Sequence, residues 1–176
     1  MQTTQLIIIR HGETQANVDG RMQGRGDDPL TARGRRQVEQ IARRLAAEKP
    51  LPAAIYSSSL PRARATAEVI AQSLGLEPIM LDDLQEMHIG DLENATAEEL
   101  ETVQRSFTSL DDRYPGGESI REFIDRIMGA FGRIVAIHRG QRVVAVSHGG
   151  VISTALAIWS GRWQPLARIY CQQLLL

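Results

Sequence analysis

The chain has one cysteine, Cys171, so it can close no disulfide of its own and assemble no metal site from several thiolates. That usage fits a reducing compartment, and Cys171 itself reads as a small hydrophobe near the C-terminus. An excess of charge is also missing. The formal net charge is -1, which removes the electrostatic case for nucleic acid or an anionic membrane surface as a partner. No apolar run approaches the length needed to cross a bilayer. The N-terminal run extends only from Leu6 to Ile9, and no charged region precedes it as in a secretory signal. Internal repeats, low-complexity tracts and interdomain linkers are absent as well. The expectation is a soluble, cytoplasmic chain of one domain over residues 1–176, a monomer or homodimer. The length, with 43% hydrophobic and 23% charged residues, is ordinary for one globular domain.

What the chain does have is polar chemistry at the ends of apolar strands. The β-branched run Ile7-Ile8-Ile9 stops at Arg10-His11-Gly12-Glu13-Thr14, and Val143-Val144-Ala145-Val146 stops at Ser147-His148-Gly149-Gly150. Ala53 to Ser57 reads as another buried strand, followed by Ser58-Ser59-Leu60-Pro61-Arg62, where serine would cap a helix and proline occupy its first turn. Arg62 then leaves that first turn, where an anion would meet its guanidinium, free backbone donors and the helix dipole together. Arg64, two residues on, points elsewhere as a solvated charge.

The helical patterns between these strands are clear. Thr14 can cap a short helix carrying Asn17, and Thr31 caps one with Val38, Ile41 and Leu45 at helical spacing. A strand, a crossover helix and a strand imply that the first two strands form a parallel pair. Pro78 to Leu81 reads as a third strand. Thr96 with Glu99 and Ser119 with Glu122 are capping-box patterns. The second opens a helix with the stripe Ile120, Phe123, Ile124, Ile127, Phe131, Ile134 and Val135. Gly129 and Gly132 within it suggest close packing against a neighbour. Val151 to Trp159 is apolar nearly all round and reads as a buried helix, and Arg168 to Leu176 as a last strand. Together these patterns predict an α/β fold, a three-layer sandwich with a mostly parallel central sheet and helices on both faces.

Arg10-His11-Gly12-Glu13-Thr14 resembles the signature of the histidine phosphatase superfamily, the phosphoglycerate-mutase-like family, and three more similar stretches follow in order. The resemblance implies that His11 is a phosphoryl-accepting nucleophile. It implies that Arg10, Arg62 and His148 are catalytic too and hold the phosphoryl oxygens, with Asn17 as a further phosphate donor. Gln23 and Gly24, in the loop Arg21 to Thr31, fall at the family's substrate-side positions, and Gly149 lies beside the phosphate site. Glu86, in the context Leu84-Gln85-Glu86 and four residues before Gly90, corresponds to the catalytic acid. The chain departs from the family in Leu92-Glu93-Asn94, where many members have Trp-Glu-Gly, which bears on the loop shape and the pocket wall. His88 and His138 are read as structural. The Tyr114-Pro115-Gly116-Gly117-Glu118 turn resembles the family's Pro-Gly-Glu-Ser turn and closes a small cap segment around residues 91–117.

Three readings of function stay open on these residues. The first is a phosphatase that hydrolyses small phosphorylated metabolites through a phosphohistidine; relatives resembling this chain act on α-ribazole phosphate, sugar phosphates, phosphoserine and other monoesters. It draws on a chain shorter than phosphoglycerate mutases and on the small 91–117 segment, which leaves a phosphoenzyme open to water. The second is a mutase-type phosphotransferase. The third is a non-catalytic phosphate-binding module. A metal site built from His11, His148 and Glu86 is a rival chemistry, but two arginines in the same cavity would oppose a divalent cation. No metal or cofactor is expected.

Overall fold

The computed structural model describes residues 3–161. The expected strand over residues 168–176, and Cys171 within it, lie outside the described residues. Strands β1 (Gln5–Arg10), β2 (Ala54–Ser57), β3 (Pro78–Met80) and β4 (Arg142–Ser147) form one parallel sheet in the spatial order β1-β4-β2-β3. β1, β2 and β4 are apolar on both sides because both sides are covered. Alternation along each strand sorts the side chains. Ala54 and Tyr56 of β2 and Val143 and Ala145 of β4 join one core, while Ile55, Val144, Val146 and Ile9 join the other.

The helices are α1 (Gln15–Val18), α2 (Ala32–Ala47), α3 (Pro61–Leu74), α4 (Ala97–Gln104), α5 (Ile120–Ile137) and α6 (Gly149–Trp159). α2 and α3 supply Val38, Leu45, Ala63 and Ile70 to one core; α5 and α6 supply Phe123, Ile127, Phe131 and Val151 to the other. The split follows from chain direction. Moving from β1 through β2 to β3 the chain steps one way across the sheet, and from β3 to β4 it steps back. Right-handed crossovers then put α2 and α3 on one face and α5 on the opposite one. This is the expected three-layer α/β architecture.

The sheet order corrects one expectation. β1 and β2 run parallel but are not a pair, because β4 hydrogen-bonds to both and separates them. The strand-helix-strand pattern specifies direction; which strand fills the gap depends on a segment some ninety residues later in the chain, at Arg142–Ser147. The insertion brings the ends of β1 and β4 together: Arg10 is in register with Ser147, and the His11 N–H donates to the Ser147 carbonyl at 3.0 Å.

The helix caps mostly follow the sequence. Thr14, Thr31, Thr96 and Ser119 each accept from a backbone N–H three residues on. α3 differs, for its N-cap is Leu60 with no side-chain bond, and Pro61 follows at the first helical position. Ser58 instead accepts from the Leu60 N–H at 3.2 Å, holding the turn one step earlier. On α5, Val135 is 39% exposed and lies off the buried stripe. A Cβ on Gly132 would meet nothing and one on Gly129 only the tip of Arg133, so neither glycine marks close packing. Nothing in the structure explains these two glycines. α6 is half-buried: Val151 and Ala155 face the core, while Leu156 and Trp159 are 50% and 48% exposed. Its other side meets no covering element among the described residues.

Candidate active site

The carboxyl edge of the sheet carries the site, as in open α/β sheets generally. His11 follows β1, Ser58 follows β2 and His148 follows β4, so three adjacent strands deliver polar groups to one place. The two imidazoles lie with ring centroids 5.2 Å apart. Arg62, at the second position of α3, reaches the same point and is only 2% exposed.

The protonation state of His11 can be read from its partners. Nδ1 lies 2.8 Å from the Gly12 carbonyl, which can only accept, so Nδ1 carries the hydrogen. Nε2 then holds the lone pair, and the Arg62 Nε–H donates to it at 3.2 Å. Burial, then the nearby Arg62 guanidinium, lowers the pKa of His11 to about 3, and Arg10 pushes the same way. The imidazole is therefore neutral at neutral pH. The other two nitrogens of Arg62 donate to the Gly26 carbonyl at 2.6 Å and the Gly24 carbonyl at 2.7 Å. Burial lowers the Arg62 pKa from its ordinary value while Glu86 and Asp28 oppose the shift. A guanidinium nevertheless stays charged in proteins.

His148 is fully buried, with Nε2 2.7 Å from Ser58 Oγ. Burial first, then Arg62 and His11, holds its pKa well below the usual histidine range. Its Nδ1 is buried without a hydrogen-bond partner, and so is Nε of Arg10. A buried polar group without a partner costs about 1–3 kcal/mol, and of these two residues Arg10 lines the cavity.

Glu86 enters from the segment after β3. Its Oε1 accepts from the Met87 N–H and its Oε2 from the Gly150 N–H, each at 2.9 Å. Gly150 has to be glycine for this contact, since a Cβ there would stand 2.4 Å from Glu86 Oε1. The backbone around Glu86 is gripped from α5. Arg126 donates to the carbonyls of Asp83, Gln85 and Glu86 at 3.1, 2.7 and 2.9 Å and also pairs with Glu118. Glu118 Oε1 in turn accepts from the His88 N–H at 2.8 Å.

Gly90 locks the same segment to the turn before α5. It sits at φ +55°, and a Cβ on it would come 2.1 Å from the Pro115 carbonyl. Asn94 accounts for the departure from Trp-Glu-Gly. It adopts φ 70°, a conformation that glycine takes freely and asparagine tolerates, and accepts from Arg21 Nη1 at 2.8 Å.

The remaining residues singled out in the sequence fall as follows. Gln23 Oε1 accepts from Thr14 Oγ at 3.0 Å and from Asn17 Nδ2 at 3.4 Å, so Asn17 and Gln23 are joined at the cavity wall. Gly24 lines the cavity and anchors Arg62 through its carbonyl. Gly149 is buried at the start of α6, and Gly150 rather than Gly149 faces the cavity. Arg64 is an exposed partner of Glu68. His88 lies 4.0 Å from Glu93, and His138 ends α5 with Nε2 3.0 Å from the Tyr56 hydroxyl. Among the described residues no three His, Cys, Asp or Glu side chains converge as metal ligands.

Sequence reading missed Ser58 as the partner of His148, and the pair Arg126 and Glu118. Arg126 had a detectable signature. It falls on the buried stripe of α5, three residues after Phe123 and next to Ile127, and its guanidinium lies 4.9 Å from the Phe123 ring centroid.

A cavity of about 540 Å³ is lined by Arg10, His11, Arg62 and Glu86 among others. The family model described as "Histidine phosphatase superfamily (branch 1)" matches residues 6–172. A "Metal-independent phosphoserine phosphatase" of Arabidopsis thaliana is 40% identical over 159 residues, covering 86% of this chain and 66% of the relative. The chain thus spans about two thirds of that relative's length. A "Probable phosphoglycerate mutase GpmB" of Shigella boydii is 39% identical over 170 residues, covering 90% of this chain and 78% of the relative. Among solved structures, a mutant phosphoserine phosphatase of Entamoeba histolytica in complex with phosphoserine superposes with a TM-score of 0.81 at 30% identity. The match covers 98% of this chain and 86% of that one.

Proposed function

Because the chain belongs to branch 1 of the histidine phosphatase superfamily, we propose that it hydrolyses small-molecule phosphomonoesters through a phosphohistidine formed on His11. One observation carries this reading. The Nδ1–H of His11 is committed to the Gly12 carbonyl, which leaves a neutral Nε2 lone pair beside the buried cation Arg62. A nucleophile needs that free pair, and the phosphoryl group it attacks needs that cation.

In this reading Nε2 attacks phosphorus in line with the ester oxygen. Arg62 turns its Nε–H from His11 to a phosphoryl oxygen, Arg10 supplies a second positive charge, and His148 Nδ1 and Asn17 meet further oxygens. As the P–O bond breaks, Glu86 gives its proton to the departing oxygen, which leaves as the alcohol. Water then loses a proton to Glu86, attacks phosphorus and breaks the P–N bond, releasing phosphate and neutral His11. No step calls on a metal. The segment over residues 91–117 acts as a small cap whose one α-helix, α4, has eight residues. Hydrolysis rather than transfer to a second alcohol suits so short a cover.

The test is to trap the intermediate. Chain mixed with a labelled phosphomonoester and quenched in alkali should retain one acid-labile phosphoryl group per molecule, and His11→Ala should retain none. Turnover in His11→Ala at the wild-type rate would end the phosphohistidine reading.

A further inference from the structure

The apolar part of the cavity lining differs in character from the groups that hold the phosphoryl. Met22, Met87, Ile89, Leu100, Tyr114 and Phe123 make it up, from five separate parts of the chain. Leu100 comes from α4 and Phe123 from the first turn of α5, so the cap segment and the core helix both contribute apolar lining. Gln104 and Tyr114 are tied to each other here, with Gln104 Nε2 donating to the Tyr114 hydroxyl at 2.7 Å.

Charge in the lining is equally informative. Among the described residues, Arg21 is the cation lining the cavity outside the phosphoryl cradle. It is already committed, with Nη1 on Asn94 and Nη2 3.1 Å from Asp19 and 3.6 Å from Asp28. A carboxylate on the leaving group would therefore lose water, meet no uncompensated cation and lie in the same cavity as Glu86. An apolar group would lose only unfavourable hydration. The volume suits more than a short chain, since roughly 300–1,000 Å³ is usual for pockets that enclose drug-sized ligands.

We propose that the physiological leaving group is an uncharged, largely apolar alcohol of ring size or larger, and that phosphorylated amino or hydroxy acids are poor substrates. This rests on the phosphatase reading of the same site. It also sets the chain apart from its relative named for phosphoserine, because membership of the superfamily supplies the phosphoryl chemistry and leaves the wall around the leaving group free to differ. α4 and the 87–89 segment supply that wall, and Leu100 and Met87 are the residues that select.

Three alkyl esters with comparable leaving oxygens separate the possibilities: ethyl phosphate, 2-phenylethyl phosphate and O-phosphoserine. Ethyl phosphate has neither ring nor carboxylate, so its turnover reports the phosphatase reading alone. The proposal expects kcat/KM for 2-phenylethyl phosphate to exceed that for phosphoserine by roughly 10- to 200-fold, the usual reach of apolar pocket discrimination. It also expects Leu100→Ala to lower the ratio of 2-phenylethyl to ethyl phosphate several-fold. Should Leu100→Ala fail to fold, the wild-type ratio decides. A ratio under tenfold, with ethyl phosphate turned over normally, overturns the apolar leaving group and leaves the phosphatase standing. Turnover of none of the three removes both.

Discussion

His11 and Glu86 are both set by backbone groups of their own neighbourhood. His11 is held by the carbonyl of the next residue, and Glu86 by the N–H of the next residue and that of Gly150. Neither relies on a mobile side chain for its orientation, which suits groups that must meet a reacting atom within tenths of an ångström. The acid role proposed for Glu86 can be isolated through the leaving group. A sugar or other alkyl oxygen needs a proton to depart, whereas nitrophenolate does not. Glu86→Gln should slow alkyl phosphates by roughly two to four orders of magnitude. It should spare most of the nitrophenol burst, because phosphoryl transfer to His11 continues while hydrolysis lags. Equal losses for both leaving groups in single-turnover experiments would reduce Glu86 to a shaping residue. Asn94 shows how a residue type conceals a conformation, for where many family members have glycine this chain has an asparagine that adopts a left-handed backbone.

At the scale of elements, α5 matters as much as the strands. It presents its apolar stripe to the sheet and, from the same stripe, sends Arg126 to three consecutive-loop carbonyls around Glu86. Planar geometry makes this possible, because a guanidinium offers five donors where an ammonium offers three from one point. Arg126→Met should loosen the segment carrying the acid and lower kcat on alkyl phosphates by roughly tenfold to a hundredfold, the cost of a small misplacement. Nitrophenyl phosphate should suffer less. The same change leaves the buried Glu118 carboxylate to the longer Arg25 ion pair at 3.9 Å, so the melting temperature should fall too. Adding Glu118→Gln removes the poorly compensated charge and should recover much of the stability but none of the leaving-group selectivity. If activity returns along with stability, Arg126 is a fold residue only.

For the whole molecule, two neutral histidines buried against arginines tie stability to pH. The folded pKa of His11 is lowered from 6.5 to about 3, and that of His148 is lowered as well. Between those values the unfolded chain binds protons that the folded one refuses, so stability is fully present above about 6.5 and falls as pH drops. For His11 alone the loss by pH 5 is about 2 kcal/mol, taking 1.36 kcal/mol per unit. Carboxylates such as Glu48 and Asp19, held below their ordinary values of 4.5 and 3.8 by hydrogen bonds from Arg142 and Gln15 respectively, lose their contribution only as pH falls past those values, so they change little between pH 7.5 and pH 5. Urea midpoints should therefore fall between pH 7.5 and pH 5, and less steeply in His11→Gln. An equal fall in both would assign the dependence to other groups.

The sequence by itself determined what is local. Continuous apolar, β-branched runs specify β1 and β4, capping residues specify where α2, α4 and α5 begin, and the Arg-His and Ser-His ends mark residues that gather at the candidate site. These depend on neighbours within a turn or a strand, which the linear order displays. Tertiary structure alone decided the rest. Insertion of β4 between β1 and β2 brings His11 beside His148, the approach of α6 gives Glu86 its Gly150 partner, and α5 supplies Arg126. Each of these pairs residues tens of positions apart, through packing of two cores against one sheet. Periodicity within a segment has no term for a partner that the segment meets only after the chain has closed.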